Sequence, residues 1–106
     1  MTSAIKSLAD GQLGSTKATL YTAPAATQAI VKLVKLTNTT TSTVKCNIYF
    51  KASGGTSRRI IPYDMELEGQ ASFKSDSETL EAGDIIEGDA SAATSIDYVI
   101  SGIENS

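Results

Sequence analysis

The chain has 106 residues, 41% of them hydrophobic and 6% aromatic, with no Trp and no His; this fits one domain built on one aliphatic core. Nine Lys plus Arg against twelve Asp plus Glu give a formal charge of -3, with no concentration of positive charge that would track a phosphate backbone, so nucleic-acid binding is not expected. Lack of His removes the usual neutral-pH proton shuttle and the Ser-His-Asp and Cys-His arrangements, and no apolar run reaches membrane-spanning length.

Residues 1–16 mix small polar residues with Gly11 and Gly14. They read as a flexible amino-terminal arm or a loosely held first strand, leaving 17–106 as a single β-sandwich domain. The opening stretch has no apolar core of signal-peptide length and points to a chain made in the cytoplasm. Ala18 to Thr22 is a short strand that ends at Pro24, since proline removes a ladder donor. Ile30 to Thr37, IVKLVKLT, carries Ile30, Leu33, Val34 and Thr37 at helical spacing. Its β-branched content and short length nevertheless favour a buried strand. A polar turn, Asn38 to Ser42, then leads to Val44–Lys51. Here Val44, Cys46, Ile48 and Phe50 alternate with Lys45, Asn47, Tyr49 and Lys51, so the first set faces a core and the second faces water. Cys46 has no disulfide partner in the chain and reads as a buried small hydrophobe.

Ser53 to Thr56 form the next turn. Ile60 and Ile61 make a short strand stopped by Pro62, Met65 and Leu67 resume the alternation, and Ala71 to Lys74 form a strand centred on Phe73. After Leu80, a turn at Ala82 to Asp84 opens a strand at Ile85 and Ile86 that Gly88 and Asp89 cut off. Residues 90–95 read as a loop, Ile96, Tyr98 and Ile100 point inward from a last strand, and Gly102 to Ser106 form a tail. Seven or eight short strands without a helical crossover predict an all-β fold. The expected form is a small antiparallel two-sheet sandwich with jelly-roll or immunoglobulin-like topology.

Carboxylates are the remaining catalytic candidates. Asp64, Glu66 and Glu68 alternate, a spacing that suits a paired-carboxylate hydrolase and equally the wet face of an edge strand. No nucleophile elbow, dinucleotide fingerprint or P-loop is present, and no enzyme is expected. Asp84, Glu87 and Asp89 lack the spacing of a calcium loop and are better explained by turn chemistry, so neither metal nor cofactor is expected. The candidate contact residues, for protein or glycan, are Tyr49 and Tyr63, the Arg58–Arg59 pair and Asp84. Tyrosines supply amphipathic area at low entropy cost. Positive charge lies mostly before residue 60, and Lys74 is the one basic residue after Asp64, an asymmetry suited to orienting a neighbour.

LYTAP, VKLVKLTNTT, the Lys45 to Phe50 strand, LEAGDIIEGDAS and VISGIE together resemble the small β-sandwich virion proteins of tailed bacteriophages. The likeness runs through Leu20, Tyr21, Pro24, Leu36, Asn38 and Thr39. It continues through Leu80, Gly83, Asp84, Ile86, Gly88, Ala90 and Ser91 and closes at Gly102 and Glu104. The resemblance implies a virion structural component of head, neck or tail, a homo-oligomer that contacts other virion proteins, and no catalytic residues. The alternative expectation is a host-surface or carbohydrate-binding module.

Overall fold

A computed structural model describes residues 3–75 and 77–106. The described residues form ten strands: β1 (Ser3–Gln12), β2 (Ala18–Thr22), β3 (Gln28–Asn38), β4 (Val44–Lys51), β5 (Ser57–Arg59), β6 (Met65–Leu67), β7 (Ser72–Lys74), β8 (Glu78–Leu80), β9 (Ile85–Ala90) and β10 (Ile96–Asn105). They assemble into two antiparallel sheets. One runs β1-β10-β3 with β7 and β8 both on the far side of β3. The other runs β2-β9-β4 with β5 and β6 both on the far side of β4.

In each sheet the doubled edge is one interrupted strand. β7 lies along Lys35 to Thr37 and β8 along Ala29 to Val31; β5 lies along Tyr49 to Lys51 and β6 along Val44 to Cys46. Counted that way there are eight strands, and the pairings are nested: β1 with β10, β2 with β9, β3 with β7 and β8, β4 with β5 and β6. The chain is therefore one long hairpin, its tip at the Ser53–Thr56 turn, folded over into two layers. That is a jelly roll, not the immunoglobulin order. Short, broken edge strands also limit what another chain could pair with.

The core between the layers is aliphatic. Leu13, Val31, Val34, Leu36, Ile48, Leu80, Ile86, Ile96 and Ile100 are all essentially inaccessible. The irregular pattern of IVKLVKLT has a cause. β3 alternates through Ala29 and Val31, gains one residue at Lys32 opposite the Ser101–Gly102 step, and resumes inward alternation at Val34 and Leu36. A bulge shifts the parity of every later side chain. β1 carries its own extra residue, Leu8, against the neighbouring part of β10. Gly102 sits between these bulges, where a Cβ would fall on the Ile30 carbonyl oxygen.

Of the two readings of the opening segment, residues 3–12 take the strand, paired along β10 with mostly exposed side chains. Three expectations change. The terminal segment is not a tail, since β10 continues through Gly102 to Asn105 between β1 and β3. The strand at Ile85 is not cut off by Gly88 but runs to Ala90 against β4. Likewise β5 ends at Arg59, just before Ile60 and Ile61, and Ile61 turns into the core.

Candidate functional site

The outer face of the β2-β9-β4-β5 sheet carries the densest polar cluster. Register sets Tyr49 beside Glu87 on one side and Arg59 on the other, with Asn47 beside Asp89. Directly opposed residues share a sheet face, so these side chains converge. Asn47 is the hub: its Nδ2 donates to Asp64 Oδ1 and Asp89 Oδ1, both at 2.9 Å. Its Oδ1 accepts from Arg59 Nη1 at 2.7 Å and from the Asp64 backbone N–H at 2.8 Å. All of its amide hydrogen-bonding capacity, two donors and two acceptor sites, is thus used. The second of these bonds holds Asp64 in a left-handed conformation, φ 48°, which Asp tolerates better than most residues.

Tyr49 donates from its hydroxyl to Asp89 Oδ2 at 3.1 Å. Its ring is flanked by two cations, Lys17 Nζ at 4.9 Å from the centroid and the Arg59 guanidinium at 5.1 Å. Arg59 also covers Tyr63, at 4.6 Å. Lys17 Nζ donates to Ser57 Oγ, which donates to Glu87 Oε1. Burial, then the hydrogen bond to Asp89, pushes the Tyr49 hydroxyl above its ordinary pKa. The cluster is a connected surface layer of two cations and three carboxylates whose exposed tip is Tyr63, 69% accessible.

This arrangement redistributes the candidate residues. Tyr49, expected in water, is buried, because Arg59 on the adjacent β5 and Lys17, just before β2, cover it. Asn47, expected in water with it, is buried too. Tyr63 and Arg59 do meet at the surface. Arg58 opposes Phe50 and so lies on the other face of β5, apart from them and exposed. Asp84 is no surface contact: it is buried, accepting from the Ser53 and Glu81 backbone N–H groups at 2.9 Å each. It ties the turn before β9 to the hairpin tip and stands apart from Glu87 and Asp89. Among the described residues no group of three or more His, Cys, Asp or Glu is placed so that it could hold a metal ion.

A second polar constellation joins the sheets. The Tyr21 hydroxyl, from β2, donates to Glu104 Oε2 on β10 at 2.5 Å, and Lys6 Nζ from β1 reaches Glu104 Oε1 at 3.0 Å. Three nested strands are clamped at one carboxylate. Glu104 is held below the ordinary carboxylate range, first by the Tyr21 hydrogen bond and then by Lys6. Glu104 and Lys6 were not legible as a pair, being 98 residues apart in the chain.

No protein-family model and no curated protein matches the sequence. Solved structures do match. The structure of infectious bursal disease virus Gx strain contains a chain that superposes with TM-score 0.54 at 14% identity, over 97% of this chain and 32% of that one. What is shared is the fold. The corresponding chain of the Gt strain gives TM-score 0.47 at 12% identity, with the same coverage. The present chain spans about a third of the length of each.

Proposed function

We propose that this chain is a non-enzymatic structural protein of a virion, of the tailed-bacteriophage kind, that builds or decorates the head, neck or tail through homo-oligomeric contacts and contacts with other virion proteins. The observation that carries the reading is the whole-chain jelly-roll likeness to a chain in a virus structure, an architecture used by viral capsid domains. The resemblance of LYTAP, LEAGDIIEGDAS and VISGIE to phage virion proteins narrows it to phages. Synthesis in the host cytoplasm suits a chain whose sole cysteine is buried and unpaired. The test is immunogold labelling of purified particles of the encoding phage with antibody to the recombinant chain. Gold at one site on the particle supports the reading and assigns head, neck or tail; particles that lack the chain by label and by mass spectrometry overturn it.

A second reading, a host-surface or glycan-binding module, draws on Tyr63, an exposed ring backed by the Arg59 guanidinium. Jelly rolls also serve as lectin domains. Binding on a glycan array that disappears with Tyr63→Ala would favour it, and an empty array would set it aside.

A further inference from the structure

The outer face of the β1-β10-β3 sheet is unlike the polar cluster on the opposite sheet. Among the described residues, three of the four exposed large hydrophobic side chains lie on it: Ile5, Ile30 and Val99, with 89, 42 and 40% exposure. Register arranges the face in rows. One row is Ile5–Ile103–Ile30 and another is Asp10–Val99–Lys35–Lys74. Lys35 and Lys74 stand directly opposite each other, an arrangement that like charges disfavour. Neither makes an ion pair with a described residue, and Asp10 is two strands away, about 10 Å at ordinary strand spacing.

The relief is as uneven as the charge. On the β1–β10 side are two hollows: one of about 490 Å³ bounded by Ile5, Gly102, Ile103 and Lys32, and one of about 260 Å³ flanked by Asp10, Asp97 and Val99. On the β3 side the same rows present Ile30 and the two lysines.

We propose that this face is a twofold interface with a second copy of the chain, the axis running along β10. The proposal deepens the homo-oligomeric part of the reading above and rests on it. A half-turn about that axis leaves each row in place and exchanges its ends. Ile103 and Val99 then meet their own counterparts, Ile30 of each copy enters the apolar hollow beside Ile5, and Lys35 meets the acidic hollow beside Asp10, with Lys74 one strand further out at the rim. The contact is self-complementary in shape and charge, as an isologous interface requires. Its core is apolar and its rim charged, the usual anatomy of an interface. Ten residues of β10 and the three strands that overlap, β1, β10 and β3, give roughly 480 Å² per copy, short of the ~800 Å² per partner of a standard interface and in the range of weak, concentration-dependent contacts.

The test is light scattering coupled to size exclusion across about a hundredfold range of concentration, on wild type, Asp10→Lys, Lys35→Asp and an equimolar mixture of the two variants. Wild type should reach twice the 11.1 kDa chain mass. Each variant alone places like charges at both symmetry-related contacts and should raise the dimer Kd by about tenfold or more. The mixture should recover the dimer, because in the heterodimer both contacts again pair opposite charges. Circular dichroism melts of the separate variants establish that each is folded. A wild-type monomer throughout overturns the interface, whatever the gold labelling shows. An oligomer unaffected by either variant, or variants whose mixture recovers nothing, overturns this face while leaving the virion reading in place.

Discussion

Asn47 shows how a single residue organises a surface. Its amide meets two carboxylates, a guanidinium and a backbone N–H while only 5% exposed. Asn47→Ala strands those partners and should lower unfolding stability by about 2–4 kcal/mol, as buried groups left unpaired do; urea unfolding measures it. Tyr63→Ala, at the exposed tip, should cost under about 1 kcal/mol in the same assay. Cys46 offers a separate check. Burial, then the charge of Asp89, pushes its thiol up to about 11, so the reactive thiolate is scarce at neutral pH and walled in. A thiol reagent at pH 8 should leave the native chain unlabelled and modify it only as fast as it unfolds. The burial of Cys46 was readable from its alternation with Val44, Ile48 and Phe50. That of Tyr49 was not. Period two correctly gave its outward face, but the cover comes from Lys17, just before β2, and Arg59 on β5, which sequence cannot place beside it.

At the level of elements, strand content was legible wherever alternation was clean, as in β4 and the first half of β10. It failed at bulges, where one extra residue breaks the period, and at glycine. Gly88 and Gly102 read as strand breakers but lie inside β9 and β10, Gly102 because a neighbouring carbonyl occupies the space of a side chain. The Tyr21–Glu104–Lys6 clamp was invisible for another reason: jelly-roll nesting brings chain ends together, and no local pattern records that. The clamp has a pH signature. Glu104 titrates lower in the folded chain than in the unfolded one, so its contribution is complete above about pH 4.3 and is lost as pH falls through the folded value. The Tyr21 hydroxyl is raised, first by burial and then by Glu104. Its contribution is therefore complete below about pH 10 and is lost as pH climbs from there toward the folded value. Tyr21→Phe should lower stability by about 1–2 kcal/mol near neutrality. It should also flatten both limbs of the melting-temperature profile; Tyr49 and Tyr98, also raised chiefly by burial, preserve part of the alkaline loss.

For the whole molecule, the sandwich class followed from strand count and turn spacing, while jelly-roll order required the pairings themselves. Nesting has a kinetic cost. Every sheet pairing except that of β4 with its hairpin partners, and of β3 with β7 and β8, joins the first fifth of the chain or its middle to the last fifth, and such non-local pairing slows folding. It also bears on how far the chain can be shortened from its amino-terminal end. β1 touches the core only through Leu8 and Ala9. Leu13, by contrast, is 1% exposed, its N–H donates to the Ile96 carbonyl in one sheet, and the next residue's carbonyl accepts from Ala90 N–H in the other. The crossing at Leu13–Gly14 therefore locks the two layers together. A chain starting at Leu13 should still unfold cooperatively, though with the β10 edge bare and more prone to self-association. A chain starting at Lys17 also loses a buried leucine and both cross-layer hydrogen bonds, for a further loss of about 3–5 kcal/mol. Urea unfolding of the two truncations separates the cases: equal midpoints would place the boundary after Thr16, and a lower midpoint for the shorter chain would place it at Leu13.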